Sequence, residues 1–584
     1  MRKNGPLLAL SLGLVTVGGA LSLLVQTNFG RVHIEDVRFP GPDGIIQNAR
    51  LFVPDGITEE NPAPGIVAIH GYINTHETQA GFAIEFARRG YVVLAVDQTG
   101  HGYSDPPSGA NGFGGPPALE FLRTLGVVDP ENVGLEGHSM GGWAVQAAAA
   151  AQPNGYRSIV LQGASVSARG DTSNGSAPLR NTSVVFSRFD EFSRSMWGVP
   201  IPTDIVGTER LKGFFGTEED VVPGRIYGSI ENGDARILHQ PAVTHPGDHL
   251  SRAAIGHAVD WFQQTLDGGN DLPPSHQIWY WKEIGTLLAL VGLVFLLLAV
   301  GGMLLETPWF EDLKGDPGRP KPAEGVGWWV AAAAFALLPV LTLFPFKDLA
   351  SRIGLSSSTL FPQSITNQVV TWTTLVGLLS LVLFVFWHVT TNRKRGATVA
   401  SYGLTPDNGV EWGRIGKSFL LALIIVSVGH LVAQVSAILF KSDFRFWVFA
   451  VRPLDSLHAR IALSYAVPFI GFFLILSAIL HGQLRRSGLT VPRETAVNLG
   501  LLVSGFVGLL VVQYLPLFLG GTMTVPSEPL WTIISFQFLP IMTIVALITT
   551  FFFRRTGMVY VGGFVCGLLV TWIVVASQAT HVAM

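Results

Sequence analysis

The 584-residue chain has one cysteine, few charges and no surplus of positive charge. Only 14% of its residues are Asp, Glu, Lys or Arg, whereas soluble globular domains carry about 25%. An ordinary soluble enzyme is therefore excluded as a description of the whole chain. A formal net charge of -3 supplies no excess of Lys and Arg for a phosphate backbone, so no nucleic-acid partner is expected. Cys566, in an apolar run, can form no disulfide within the chain and completes no cysteine zinc site. Residues 281–584 show no Walker A sequence, zinc-ligand pattern or internal repeat, which leaves nucleotide-driven transport without support. Neither a metal nor a cofactor is expected.

What is present is unevenly spread. Apart from one run near the N-terminus, charges are distributed normally through about residue 275, and long apolar stretches dominate from Ile284 onward. A membrane helix needs roughly 20 mostly apolar residues to cross a hydrocarbon core of about 30 Å. The runs 6–25, 284–305, 327–345, 368–389, 415–440, 464–482, 496–519, 530–553 and 557–577 qualify. Their succession, broken by short polar loops, predicts an all-α transmembrane bundle rather than buried helices of a soluble core.

With the N-terminus inside, Arg2, Lys3, Lys314, Arg319, Lys321, Arg393, Lys394, Arg395, Arg414, Arg485, Arg486, Arg493, Arg554 and Arg555 fall on the cytoplasmic side. The other side receives fewer: Lys347, Arg352, Lys441, Arg445, Arg452 and Arg460. This is a positive-inside pattern. It predicts an integral protein of the cell membrane with residues 26–280 outside the cytoplasm and 281–584 as a membrane domain of about eight helices. Residues 1–25 resemble a signal peptide in their leading Arg2 and Lys3. Their long apolar run and the lack of an A-x-A site favour an uncleaved anchor, and either form leaves 26–280 outside.

Within 26–280, short β-branched runs bounded by Gly, Pro or polar turns read as strands: 65–71, 91–97, 133–139, 158–165 and 183–190. Helical patterns at 77–90 and 141–153 lie between them. Continuous apolar strands alternating with helices imply a mostly parallel sheet covered on both faces.

Two motifs sit where such a sheet carries chemistry. Gly137-His138-Ser139-Met140-Gly141 falls between a strand and a helix. A serine on that tight turn presents its hydroxyl above the sheet, and the glycines permit close packing of strand and helix. His70-Gly71-Tyr72 ends the strand at 65–71. A sharp turn there aims the Tyr72 N–H, with that of Met140, at the place where an oxyanion forms.

Residues 69–105, followed by the Gly137–Gly141 motif, resemble the α/β-hydrolase superfamily, above all its monoacylglycerol lipase, serine aminopeptidase and dienelactone hydrolase-like branches. Asp97-Gln98-Thr99-Gly100-His101-Gly102-Tyr103-Ser104 matches the D-x-x-G-H-G-x-S turn found there. The likeness covers roughly 45–266 and implies an α/β-hydrolase fold with an eight-stranded sheet. It also implies a Ser, Asp/Glu, His order along the chain and cofactor-free cleavage of an ester, thioester or amide.

The resemblance places the acid after the second strand beyond the nucleophile, which leads to Asp190, with Glu191 beside it. Glu219, in the loop 216–223, is the alternative acid; the residues before it look helical rather than strand-like. His249, in the loop after the strand-like 236–245, occupies the family's histidine position, with His245 the alternative base and His257 a structural residue of the next helix. An imidazole suits the role because its pKa of about 6.5 lets it take the serine proton and return it to the leaving group. The expected site is thus Ser139, His249 and Asp190, with the Tyr72 and Met140 amides as oxyanion hole.

The connection between the strands at 158–165 and 183–190 is too short for the helical cap many lipases insert there. The cleft is therefore open, or covered by 191–235 or by the membrane face, and suits a small ester, lipid or peptide substrate. His430, Gln434, Gln513 and Gln537 fall in apolar runs and read as interhelical hydrogen-bonding groups. The expected function is a membrane-bound serine hydrolase in contact with membrane lipids; the alternative is a transporter or receptor whose hydrolase-fold domain processes or senses its ligand.

Overall fold

The computed structural model describes residues 4–166, 178–318, 325–353, 355–406 and 409–584. Arg2, Lys3, Arg319 and Lys321 of the charge pattern lie outside the described residues, as does most of the connection at 166–182. The chain divides into two compact units. One comprises Met1–Gly19, Leu287–Val511 and Leu530–Ala576; the other comprises Ala20–Thr286, Val512–Pro529 and Ser577–Met584. The second unit thus takes in two short segments of the C-terminal half.

Its strands are β1 (Val32–Pro40), β2 (Ile46–Pro54), β3 (Ala63–Ile69), β4 (Val92–Val96), β5 (Val128–His138), β6 (Ser158–Gln162), β7 (Thr182–Val185), β8 (Ile226–Tyr227) and β9 (Arg236–His239). They form one sheet in the order β1-β2-β4-β3-β5-β6-β7-β9-β8. Pairing is parallel from β4 through β3, β5, β6 and β7 to β9, and antiparallel at the β1, β2 and β8 edges. The resemblance implies an eight-stranded sheet; among the described residues this sheet has nine strands, the addition being the two-residue edge strand β8.

The apolar runs become central strands because both of their faces are covered. Along β3, Val67 and Ile69 enter one core with Leu119, Leu122 and Val145. Ile66 and Ala68 enter the opposite core with Phe82, Phe86, Trp261 and Phe262. That alternation is the two-residue period of a strand. The first core is closed by the helices Gly115–Thr124 and Met140–Ala151, the second by Ala80–Ala87 and Arg252–Thr265. Each fully buried Val, Leu, Ile or Phe contributes roughly 1.5–3 kcal/mol relative to exposure, so these strands stay central while β1, with alternating exposed positions, stays at an edge.

Among the described residues nine helices are long and apolar enough to cross a membrane: Gly5–Gln26, Tyr280–Leu304, Val326–Arg352, Ser364–Arg395, Trp412–Phe440, Ser456–Gln483, Val491–Gly520, Pro529–Thr556 and Tyr560–Ser577. Each overlaps an apolar run of the sequence. Several extend further, because polar residues at the span ends continue the helix without adding hydropathy. Two of the polar groups expected to bond between helices, His430 and Gln537, differ from expectation in their partners. His430 Nε2 accepts the Leu454 N–H at 2.9 Å, and Gln537 donates to the Val448 carbonyl at 3.0 Å. Trp572 donates to the Arg452 carbonyl at 2.6 Å. These side chains hold the backbone of one loop, residues 441–455, rather than a neighbouring helix. The loop folds into a small hairpin, Phe444–Phe446 with Phe449–Val451.

Candidate active site

β5 ends at His138, the helix Met140–Ala151 begins at Met140, and Ser139 makes the turn between them with φ 56° and ψ -118°. A non-glycine residue rarely adopts positive φ, and the surroundings must enforce it. They do so by close packing. A Cβ on Gly137 would stand 2.2 Å from the Gly141 carbonyl oxygen, and one on Gly141 2.0 Å from that of Ile69. The Ser139 N–H donates to the Gln162 carbonyl at 2.8 Å, fixing the turn to the end of β6.

The His70-Gly71-Tyr72 turn lies against this serine. A Cβ on Gly71 would meet Ser139 Cβ at 3.1 Å. The Gln98 N–H donates to His70 Nε2 at 3.1 Å, so Nδ1 carries the proton and donates to the Gly71 carbonyl at 2.6 Å. Ile73 follows with φ 56°, a second strained position in the same turn region. Met140 opens a helix, whose first N–H groups have no intrahelical acceptor. The Tyr72 hydroxyl lies 3.0 Å from His581 Nε2. The 577–584 segment is also anchored by backbone bonds from the Thr580 N–H to Gly100 and from the Ser108 N–H to Thr580, each 2.8 Å.

The D-x-x-G-H-G-x-S turn is a scaffold for these elements. Asp97 is fully buried and accepts the His76 N–H at 2.7 Å, the Asn48 amide at 2.9 Å and the Tyr103 N–H at 3.0 Å. Ser104 donates to the Asp97 carbonyl at 2.7 Å.

The acid and base come from the neighbouring strands. β7 and β9 run parallel, and beyond their ends Phe189 pairs with Thr244 in a further parallel bridge. That register brings the next residues level, and Asp190 Oδ2 lies 2.8 Å from His245 Nδ1. Asp190 is 1% exposed, and its other oxygen accepts the Phe192 N–H at 2.8 Å. The ring of His245 packs against the β6 end: a Cβ on Gly163 would meet its Nδ1 at 2.9 Å. The residue before the serine also holds it, since His138 Nε2 donates to the His245 carbonyl at 3.0 Å.

Of the two histidines considered as base, the structure therefore brings His245 to Asp190. His249 sits in the turn Pro246–Leu250, with its ring 4.1 Å from that of His138 and edge-on to Phe82. The family's histidine position points to His249; the strand register that brings His245 to Asp190 is a long-range property. Glu219 is exposed on its loop, where its N–H donates to Thr217 Oγ1 at 3.2 Å. Asp190 is the acid brought to an imidazole.

Two further buried carboxyls, Glu191 and Asp248, adjoin this pair, and Glu136 is buried on β5. Glu191 accepts the His245 backbone N–H at 2.7 Å and the Tyr514 hydroxyl at 2.5 Å. Burial, then repulsion from Asp190, pushes its pKa up to about 7. Asp248 accepts the Ser187 hydroxyl at 2.5 Å, and burial raises it to about 8. Glu136, bonded to Gln79, is raised to about 8 by burial. Burial opposes a charge on His245, but the carboxylates of Asp190, Glu191 and Asp248 outweigh it and raise its pKa. His138 is driven well below its usual value by burial and by His249 and His245; it stays neutral and acts as a tether. No motif or spacing in the sequence points to a role for Glu191, Asp248, Tyr514 or His581. Among the described residues no cluster of His, Cys, Asp and Glu is arranged to hold a metal.

The sheet order is that of an α/β-hydrolase fold, in a chain that also carries long apolar helices. Residues 60–189 match the Hydrolase_4 family, serine aminopeptidase S33. Among solved structures the chain is similar to the esterase RhEst1 from a Rhodococcus species, at 25% identity and TM-score 0.19, covering 22% of this chain and 46% of that one. It is also similar to a dienelactone hydrolase from Anabaena variabilis, at 16% identity and TM-score 0.29, covering 40% of this chain and 99% of that one. A third is a dienelactone hydrolase-like promiscuous phosphotriesterase from metagenomic libraries, at 15% identity and TM-score 0.29, covering 41% of this chain and 100% of that one. The chain thus spans less than half the length of the Rhodococcus esterase. No curated protein matches it significantly.

Proposed function

We propose that the chain is a membrane-bound serine hydrolase that cleaves ester, thioester or amide bonds outside the cytoplasm. Ser139 Oγ attacks the substrate carbonyl and its proton passes to His245. The amides of Tyr72 and Met140 hold the oxyanion, and His245 returns the proton to the leaving group as the acyl-enzyme forms. Water, deprotonated by the same histidine, then releases the acid and restores Ser139. Asp190 keeps the imidazole in the tautomer with Nδ1 protonated and stabilises imidazolium. The observation that carries this reading is the 2.8 Å Asp190–His245 pair, tied through His138 to the strained Ser139 turn.

The purified chain is expected to hydrolyse p-nitrophenyl acyl esters and to react with a fluorophosphonate probe. Ser139→Ala abolishes both; unchanged labelling of that variant would remove the assignment. The outside placement of the domain rests on the Lys and Arg pattern of the loops. A membrane-impermeant serine probe tests it, labelling intact cells as fully as lysed ones if the domain faces outward.

A further inference from the structure

The last turns of the helix Val491–Gly520 belong to the same compact unit as the hydrolase sheet. Tyr514 and Phe518, one turn apart, share a face of that helix. Both reach the loop that carries the acid. The Phe518 ring meets Phe189 edge-on at 5.1 Å, and the Tyr514 hydroxyl donates to Glu191 Oε1 at 2.5 Å. Tyr514 is 5% exposed and Glu191 4%, so their hydrogen bond is shielded from water.

Glu191 is an awkward residue to bury beside another carboxylate. Its neighbours explain how it is kept there. One oxygen takes the backbone N–H of His245 at 2.7 Å, and the other takes the Tyr514 hydroxyl. Removing a donor from a buried carboxylate costs more than removing one from a neutral acceptor. Without Tyr514 the Glu191 carboxylate would hold its charge less well, and the clamp on the His245 backbone would loosen with it.

We propose that Tyr514 is a positioning residue for the catalytic histidine, acting through Glu191, so that turnover depends on the C-terminal turns of a candidate membrane helix. This rests on the reading in which His245 is the base of Ser139. It gives those turns a task that hydropathy alone does not: they complete the hydrolase site. The groups facing Glu191 are Asp190 on its own loop, His245 on the loop after β9 and Tyr514 on the helix, and Asp248 also repels its charge.

The test uses the full chain in detergent or nanodiscs and compares wild type, Tyr514→Phe, Glu191→Gln and the double variant in ester hydrolysis across pH. Tyr514→Phe is expected to lower kcat about tenfold, the effect of one hydrogen bond to a charged group, with KM unchanged. Adding it to Glu191→Gln should lower kcat no further, because both act through one contact. In Glu191→Gln the acid limb of kcat/KM should move to lower pH, since the charge that favours imidazolium is gone. Wild-type kinetics in Tyr514→Phe, or losses that simply multiply in the double variant, would overturn the coupling. If Tyr514→Phe does not fold, Glu191→Gln decides, and an unchanged kcat and acid limb would overturn it. Probe labelling of Ser139→Ala and His245→Ala separates this from the underlying reading. If those variants label as wild type, the reading fails and the coupling with it; if they are silent while Tyr514→Phe is normal, only the coupling fails.

Discussion

Asp190 and His245 are joined through a 2.8 Å contact between carboxylate Oδ2 and imidazole Nδ1, one residue beyond the parallel pairing of Phe189 with Thr244. The strand register of β7 and β9 thus decides which histidine faces the acid. Four predictions follow from this arrangement and from the buried groups around it.

His245→Ala is expected to lower kcat by roughly 10³–10⁴-fold or more, and Asp190→Asn by a comparable factor through loss of the correct tautomer. His249→Ala removes a ring that packs on His138 and Phe82 and should stay within about tenfold of wild type if folded. Ester hydrolysis by the three purified variants checks the order; equal loss in His245→Ala and His249→Ala would contradict the assignment of His245.

The pH profile should carry the sign of the His245 shift. Its folded pKa is raised, after the opposing effect of burial, by Asp190, Glu191 and Asp248. The base is active only when neutral, so kcat/KM should fall on the acid side with a midpoint above the ordinary histidine value of about 6.5. Replacing Asp190 by Asn should lower that midpoint. A wild-type midpoint below the ordinary value would contradict the electrostatics.

Stability should decline toward alkaline pH through Asp248 and Glu136. Both carboxyls have folded pKa values raised to about 8, so the native state binds protons that the unfolded state has lost above about pH 4. By linkage, stability falls as pH rises between those values, and the penalty is complete above the folded pKa. Asp248→Asn and Glu136→Gln should each flatten this decline, by on the order of a few kcal/mol at pH 9. Thermal unfolding of the purified chain between pH 6 and 9 reads it.

The Ser139 turn should tolerate no added carbon. Gly141→Ala would place a Cβ 2.0 Å from the Ile69 carbonyl oxygen, and Gly137→Ala one 2.2 Å from that of Gly141. Overpacking of this kind costs about 1–3 kcal/mol or more. Both variants should melt lower and label poorly. Gly213→Ala, where a Cβ meets nothing within 4 Å, is the control that should do neither.

The central strands, the serine turn and the apolar helices are local features, and each was legible in the sequence. GIVAIHG becomes β3, YVVLAVD contains β4, and the apolar runs become long helices. The edge hairpin β1–β2 went unread although Gly41-Pro42-Asp43-Gly44 is a turn signature between its strands. Which histidine meets Asp190 was not legible, because His245 and His249 share a loop and only the β7–β9 pairing distinguishes them. Glu191–Tyr514 and Tyr72–His581 span 323 and 509 positions of chain. No periodicity or motif spacing carries information over such separations.

The most direct test of the central claim is mass-spectrometric mapping of the fluorophosphonate adduct on the full-length chain, with labelling rates for His245→Ala and His249→Ala beside wild type. The account predicts a single adduct on Ser139, nearly abolished in His245→Ala and retained in His249→Ala. An adduct on another residue, or one lost with His249 and retained without His245, would contradict it.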